Sequence, residues 1–229
     1  LESNPLGNKL QLIYTARPSY FEAQKHLGKR FFVLGARDEH GKLVGIGTIC
    51  VQKRYVQKKL LNIGYLSHMR VDRNHRGRGI ASMGINHLRK IRKHLGVDLF
   101  MTSLLLDNKK AVSILTKKRK NYPNLFPVGD IYTKLISLRW YNPVTSPPYA
   151  ISVQKYLDIK GIRTFLEKHQ KEKNFFPYLD ILDHDNKTYV IAKKEEKIVG
   201  LLSLWDQSHF KQVIINNYTL SISLWRFLF

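Results

Sequence analysis

The order of short apolar runs in the first half of the chain limits its fold more than any other feature. Residues 31–36 and 43–51 are two such runs on either side of a turn-like stretch at 38–41, so they predict a β-hairpin. Residues 60–71 predict a third strand. No apolar run approaches the roughly 20 residues that a membrane-spanning helix needs. We therefore expect a fold built around a sheet, with no membrane segment.

A helix is predicted to follow the third strand, over residues 79–94. Apolar side chains recur there mainly at intervals of three and four, as on one face of a helix; they are Ile80, Met83, Ile85, Leu88, Ile91 and the following Leu95. Residues 98–106 predict a strand, 109–118 a second helix and 131–138 a last strand. This order predicts a mixed α/β fold, with a central mixed sheet flanked by helices.

The segment that joins the third strand to the first helix reads Arg76-Gly77-Arg78-Gly79-Ile80-Ala81. Backbone N–H groups at the start of a helix have no partner within the helix, and the helix dipole favours an anion there. Because Gly77 and Gly79 lack side chains, a phosphate can approach these N–H groups closely. Arg76 and Arg78 can add charge-assisted hydrogen bonds. The segment therefore predicts a diphosphate site.

Two other phosphate-binding motifs are excluded by their spacing. The sequence has no GxxxxGK[ST] stretch. The spacing Gly77, Gly79, Met83 also misses the GxGxxG fingerprint of dinucleotide-binding proteins. An ordinary glycine turn with basic flanks is the structural alternative. An arginine–glycine segment that contacts RNA is a second alternative, although such segments occur in disordered tracts and do not open helices.

Residues 68–81 resemble the fourth strand and pyrophosphate loop of the GNAT N-acetyltransferases, and Asn108-Lys109-Lys110-Ala111 resembles the start of a later helix in that family. The resemblance extends in order over about residues 30–138. It implies the GNAT fold and direct acyl transfer from acetyl-CoA to an amine of a small molecule or protein, without a covalent enzyme intermediate. It assigns the pantetheine arm to the strand, the pyrophosphate to the loop and a further cofactor contact to Asn108. The strand residues concerned are Met69, Arg70 and Val71, with the backbone of Met69 and Val71 acting like an added strand.

Two positions depart from the family pattern. Leu115 stands where many members have a tyrosine that protonates the leaving thiolate, and leucine cannot do so; Tyr122 is a candidate substitute, with packing as the alternative. The strand also lacks the glutamate that some members use as general base. His68 or Ser67 is then the candidate base, with a structural histidine as the alternative. A non-catalytic module that binds CoA or serves a regulatory role therefore remains an alternative to the enzyme.

The chain is strongly basic, with 39 Lys and Arg against 17 Asp and Glu and a net charge of +22. Such a charge attracts polyanions. A solvated lysine-rich surface, an acidic acceptor and a nucleic acid are all compatible with it, and a nucleic-acid partner is not expected. One cysteine, Cys50, excludes an internal disulfide, and the nine histidines show no ligand spacing. We expect a cytoplasmic, metal-free protein.

A proline-rich connector at 140–149 divides the chain into a first unit at 1–139 and a second at 150–229. Beyond the connector, Tyr189-Val190-Ile191 followed by Lys197-Ile198-Val199-Gly200 echoes Phe32-Val33-Leu34 followed by Lys42-Leu43-Val44-Gly45, with a turn two residues shorter. The echo predicts a partial second GNAT-like unit; two similar but unrelated hairpins are the alternative.

The sequence also predicts what is missing at the end of the second unit and at the beginning of the first. Arg76 lies 31 residues after Gly45, and the same step from Gly200 passes Phe229, so no second phosphate loop is expected in this chain. Leu1 is not a methionine, and GNAT members usually open with a strand and a helix before the features seen at residues 10–30. The first unit is thus expected to lack those two elements, and residues 17–21 to belong to a helical segment that shapes the acceptor site.

Overall fold

The structure is a computed structural model that describes residues 10–28, 30–106, 108–117, 125–132, 150–154, 159–178 and 187–218. Tyr122 and the connector predicted at 140–149 lie outside these residues. Of the strand predicted at 131–138, only Ile131 and Tyr132 are described; both are exposed and belong to no regular element. The strand prediction is therefore wrong at its first two positions.

The helices and strands follow one another along the whole described chain. They are β1 (Leu10–Thr15), α1 (Tyr20–Lys25), β2 (Arg30–Arg37), β3 (Leu43–Val56), β4 (Lys59–Val71), α2 (Ile80–Ile91), β5 (Leu99–Thr102), α3 (Lys109–Thr116), β6 (Ala150–Gln154), α4 (Ile159–His169), β7 (Phe176–Pro177), β8 (Lys187–Lys194), β9 (Lys197–Trp205) and β10 (Gln212–Tyr218). Within the described ranges, no helix has the length and apolar character needed to span a membrane.

The main sheet has the strand order β2-β3-β4-β5, and β7 pairs with the distal part of β3. The β2–β3 and β3–β4 pairs are antiparallel, whereas β4 and β5 run parallel. The predicted hairpin, third strand and mixed α/β fold are confirmed. The basic residues Lys53 and Arg54, expected between strands, lie inside β3, and the strand expected at 98–106 is only Leu99–Thr102.

Helix α2 covers one face of this sheet. Leu88 packs there with Ile49, Leu95 and Val97 in a buried cluster, so the apolar face predicted for the helix is largely confirmed. Met83 is the exception, because its side chain is 61% exposed. It lies beside a cavity of about 330 Å³ near the start of the helix, lined also by Arg78 and His40.

A second, three-stranded antiparallel sheet has the order β6-β8-β9 and packs against α4 through Ile162 and Leu166. The register of its β8–β9 hairpin is similar to that of the β2–β3 hairpin. Ala36 faces Gly45 and Ala192 faces Gly200, and the register shifts directly after each alanine. By these pairs the second turn is one residue shorter than the first, not two. The tandem second unit stays a prediction.

A third ladder joins the beginning of the described chain to its end. β1 pairs with β10 in antiparallel fashion, with Thr15 opposite Gln212. β1 and α1 thus precede β2, but β1 does not pair with the main sheet. The expectation that the first unit lacks the opening strand and helix of its family stays a prediction.

Candidate functional site

The glycine–arginine loop connects β4 to α2 through two left-handed residues. After Val71, the Asp72 carboxylate accepts a hydrogen bond from the Asn74 N–H at 2.9 Å and caps a 3₁₀ turn at Arg73–His75. Gly77 has φ 83° and Gly79 has φ 78°. Because other residues pay about 1–2 kcal/mol for this backbone region, the loop requires glycine at both positions. No atom lies within 4 Å of a Cβ built on either glycine, so the loop is open on its outer side.

Helix α2 begins on this loop with its first N–H groups directed to no protein acceptor. The Gly79 carbonyl accepts from the Met83 N–H at 2.9 Å, which is the first hydrogen bond of the helix. Among the described residues, no acceptor is found for the backbone N–H groups that precede it, those of Gly77, Arg78, Gly79, Ile80 and Ala81. Such a group of donors at the positive end of a helix fits a diphosphate.

The loop is held in place from the side by His75. Its Nδ1 lies 3.1 Å from Asp72 Oδ1 and its Nε2 lies 3.6 Å from Asp38 Oδ2. Asp38 belongs to the β2–β3 turn, and the Asp72 N–H donates to the Val44 carbonyl at 2.8 Å. The hydrogen bonds from His75 and from the Asn74 N–H lower the pKa of Asp72. The β2–β3 hairpin thus fixes the position of the loop.

Strand β4 loses its β5 neighbour before it reaches the loop. The two strands pair from Ile63 to Leu66, opposite Leu99 to Thr102, and among the described residues no strand continues beside Ser67–Val71 on that side. Unpaired strand edges present N–H and C=O groups to a ligand. The pantetheine arm predicted beside Met69 and Val71 would lie along this edge. Arg70 Nη1 donates to the Met69 carbonyl at 2.9 Å.

A β-bulge interrupts β4 at the same place. Thr48 faces Ser67 and Ile46 faces Arg70, so β4 carries one more residue than β3 between these pairs. His68 lies in the bulge with φ 54°. Since paired residues project to the same face of a sheet, Ser67 and Arg70 both lie on the face of Thr48, opposite the face covered by α2.

Helix α1 places a tyrosine on this second face. Ser19 Oγ accepts from the Glu22 N–H at 3.4 Å and caps the helix, whose first residue is Tyr20. The Tyr20 hydroxyl shares a short hydrogen bond with Thr48 Oγ1 and lies 3.2 Å from His68 Nδ1. The two rings meet edge to face with centroids 5.5 Å apart. Tyr20, Thr48 and His68 therefore form one hydrogen-bonded group.

The environment keeps His68 neutral. Burial lowers the pKa of His68 to about 4, and the positive charges of Arg70 and Lys211 contribute in the same direction. At neutral pH its imidazole is therefore unprotonated. Burial also raises the pKa of Tyr20, so its hydroxyl stays protonated.

Two polar groups on this face are buried without a partner in the described part of the chain, namely Ser67 Oγ and Arg70 Nε. A buried polar atom that lacks a hydrogen bond costs about 1–3 kcal/mol. A ligand oxygen that reached both atoms would remove that cost. The candidate base Ser67 thus lies beside Arg70, on the face where Tyr20 meets His68.

The remaining predicted site residues lie on α3 or after it. Asn108 Oδ1 caps α3 by accepting from the Ala111 N–H at 3.1 Å, which leaves the side-chain NH₂ group for a ligand contact. Leu115 is 4% exposed and packs in the core with Ile85 and Leu125. Tyr122 lies outside the described residues. In the same ranges, no three His, Cys, Asp or Glu side chains group as metal ligands.

Sequence reasoning placed Tyr20 in a helical segment near the acceptor site but did not pair it with His68, because the two residues lie 48 positions apart. It missed Lys211 altogether. Lys211 acts on His68 from the far end of the described chain. No local pattern marks Lys211, because its position depends on the β1–β10 ladder.

Comparison with known proteins identifies the region that carries the loop. Residues 8–119 match the profile of the acetyltransferase (GNAT) family. Among curated proteins no relative matches the chain.

Many solved structures share part of the fold. Glucosamine-6-phosphate N-acetyltransferase from Arabidopsis thaliana is 17% identical with a TM-score of 0.35, over 48% of this chain and 74% of that one. An aminoglycoside acetyltransferase from an uncultured soil metagenomic sample is 19% identical with a TM-score of 0.41, over 56% of this chain and 97% of that one. Ribosomal-protein-alanine N-acetyltransferase from Brucella melitensis biovar Abortus is 20% identical with a TM-score of 0.33, over 43% of this chain and 71% of that one.

These structural similarities are low, so the assignment depends on the profile match, which spans β1 to α3 and includes the loop at Arg76–Ala81. Residues 8–119 thus carry a GNAT acetyltransferase domain.

Proposed function

We propose that the chain is an N-acetyltransferase that takes the acetyl group from acetyl-CoA and transfers it to an amine. The observation that carries the proposal is the row of backbone N–H groups at the loop between β4 and α2, for which the described residues supply no acceptor. In this proposal those N–H groups bind the diphosphate of CoA, with added charge from Arg76 and Arg78. The free edge of β4 takes the pantetheine arm, and the Asn108 NH₂ group contacts the same substrate.

The acceptor amine would approach from the face of Tyr20 and His68. Its nitrogen forms a bond to the thioester carbon, the carbon–sulfur bond breaks, and CoA leaves as the thiol. The amine gives up one proton, and neutral His68 is the candidate acceptor for it, directly or through water, with Ser67 as a relay. Arg70 and Lys211 make the surroundings of the amine positive, which favours its uncharged, nucleophilic form.

Leu115 cannot donate the proton that the leaving thiolate needs. That side chain is apolar and buried. Tyr122 is the candidate donor from the sequence, and solvent is the alternative. This gap favours a second candidate function, a module that binds acetyl-CoA without transferring its acetyl group.

Charge reversal at Arg76 tests the binding step. Arg76→Glu places a negative charge beside the diphosphate, and we expect calorimetry to show acetyl-CoA affinity at least about 100-fold weaker. Lys90→Glu makes the same charge change at the other end of α2 and should leave the affinity close to that of the wild type. Unchanged affinity in Arg76→Glu would contradict the placement of the diphosphate.

Thiol release from acetyl-CoA over a panel of amines tests the transfer step. Release that depends on an amine, and that Arg76→Glu abolishes, supports the enzyme. Acetyl-CoA binding by the wild type with no release for any amine in the panel supports the non-catalytic module.

A further inference from the structure

A segment from the second half of the chain lies along helix α1. Residues 206–211 form a tight turn after β9, in which the Phe210 and Lys211 N–H groups donate to the Gln207 carbonyl at 3.1 and 2.8 Å. The Arg17 N–H donates to Gln212 Oε1 at 3.2 Å, just before α1 begins. The turn is thus fixed at the N-terminal end of the helix.

The other end of α1 holds the same turn by an aromatic contact. The ring of His26, at the C-cap of α1, stacks on Phe210 with centroids 4.4 Å apart and an angle of 15° between the rings. Phe210 is 3% exposed. Because Phe210 and Gln212 are both anchored, the backbone of Lys211 between them is held beside α1.

Lys211 and Arg70 bring positive charge to His68 from two directions. Arg70 lies on β4, on the same sheet face as Ser67 and Thr48, and Lys211 belongs to the turn after β9. Both charges act on His68, and Arg70 also acts on the Tyr20 hydroxyl. No carboxylate of the described residues contributes to the pKa shifts of His68, Tyr20 or Arg70.

The same face offers hydrogen-bond donors that no protein atom uses. Arg70 Nε and Ser67 Oγ are buried without a partner in the described part of the chain. Guanidinium groups bind carboxylates and phosphates in a fixed geometry, and a nearby ammonium adds charge without fixed geometry. An acceptor that carried only its own positive ammonium would meet positive charge here, and no described carboxylate acts on these groups.

We propose that the acceptor is an amine that also carries an anionic group, a carboxylate or a phosphate, and that Arg70 and Lys211 bind this group beside His68. The proposal rests on the proposed acetyl transfer and names its class of substrate. It also assigns a role to the second half of the chain, which supplies Lys211 to the acceptor side of the first. Lys211 is here a residue that determines specificity.

Matched pairs of amines test the proposal. Glucosamine 6-phosphate is compared with glucosamine, and L-phenylalanine with L-phenylalaninamide, so that each pair differs in one anionic group. We measure kcat/KM for each amine by thiol release at saturating acetyl-CoA. The expected result is a preference of at least about tenfold for the anionic member of one pair, and the pair concerned distinguishes phosphate from carboxylate.

Variants of Lys211 connect the preference to this residue. Lys211→Met should reduce the preference about tenfold, and Lys211→Glu should favour the neutral member, while the acetyl-CoA Kd stays at the wild-type value in both. Lys197→Glu, in the β8–β9 turn, makes the same charge change away from the site and should keep the preference. Lys211 and Lys197 are both exposed, so these variants should fold.

Failure of this proposal and failure of acetyl transfer give different results. Equal kcat/KM within each pair, with acetyl transfer present, overturns the anionic acceptor and leaves the enzyme standing. If no amine is acetylated, calorimetry with glucosamine 6-phosphate and L-phenylalanine tests the anion site by binding alone. Binding that Lys211→Glu weakens at least about tenfold supports the site, and no binding to the wild type overturns it.

Discussion

At the scale of single residues, the extra residue in β4 decides which side chains lie on the candidate acceptor face. Thr48 faces Ser67, and without a bulge the next residue of β4 on the same face would be Met69. The bulge at His68 puts Arg70 there instead. A non-glycine residue with positive φ is uncommon, and such residues are frequent at functional sites. The bulge therefore exchanges an apolar side chain for a guanidinium on the candidate acceptor face.

The protonation of His68 should make the stability of the protein depend on pH. Its pKa in the folded chain is about 4, below the usual value of 6.5, so the unfolded chain binds this proton more readily. The resulting loss of stability is absent above about pH 6.5 and grows as the pH falls towards 4. We expect wild type to lose more stability than His68→Gln between pH 7.5 and pH 5 in urea unfolding.

The same variant separates a chemical role from a structural one. His68→Gln keeps a polar group near Tyr20 but cannot take a proton, so acetyl transfer should slow about 100-fold at pH 7.5 with an unchanged acetyl-CoA Kd. Equal pH dependence of stability in the two proteins would contradict the buried neutral imidazole. Unchanged transfer would remove His68 from the chemistry.

At the scale of elements, the start of α2 is placed by contacts with β3 and by the loop before it. A Cβ on Gly45 would lie 3.0 Å from Ile80 Cγ2, so glycine allows the first residue of the helix to approach the sheet closely. The Asp72 N–H bonds to the Val44 carbonyl beside it. The helix end that presents the free N–H groups is therefore held against the sheet, and its opening depends on the left-handed backbone at Gly79.

Two alanine substitutions on the same helix should have opposite effects. Gly79→Ala forces a side chain into the left-handed region at φ 78° and should destabilise the protein by about 1–2 kcal/mol and weaken acetyl-CoA binding. Gly84→Ala lies inside α2, where an added Cβ meets no atom within 4 Å, and should stabilise by about 0.5–1 kcal/mol. Urea unfolding and calorimetry measure both effects. Equal effects of the two substitutions would contradict the backbone described for the loop.

At the scale of the whole molecule, the two halves of the chain meet around α1. The β1–β10 ladder joins them before the helix, and the stack of Phe210 on His26 joins them after it. β7 adds a further contact by pairing with β3. Residues that follow β9 therefore lie beside α1, the helix that carries Tyr20 of the candidate acceptor face.

Loosening this contact should affect the acceptor more than acetyl-CoA. Phe210→Leu removes the stacked ring from a buried position and should destabilise the protein by about 1–3 kcal/mol. We expect the acceptor KM to rise several-fold while the acetyl-CoA Kd is unchanged, because helix α2, which begins at the diphosphate loop, covers the other face of the sheet. Phe126→Leu makes the same change at an exposed position and serves as the control. A parallel rise in the acetyl-CoA Kd would contradict the separation of the two faces.

The features that the sequence alone determined are those whose cause is local. The β2–β3 hairpin, β4, α2 and the loop at Arg76–Ala81 follow from the spacing of apolar residues and from glycines next in the chain. Where a long-range contact set the outcome, the prediction was wrong or missing. Met83 has helical spacing but lies beside the cavity near the loop, and the strand at 98–106 ends where its pairing with β4 ends at Thr102.

The acceptor face was decided only by the tertiary structure. Tyr20, Thr48 and His68 meet across three elements, and the side of the sheet on which Arg70 projects depends on the bulge in β4. The charge of Lys211 acts on His68 from the turn before β10, and no neighbouring residue signals the pairing of β10 with β1. A phosphate loop is built from consecutive backbone groups and can be found by its spacing, whereas the acceptor face is assembled from distant side chains and exists only in the folded chain.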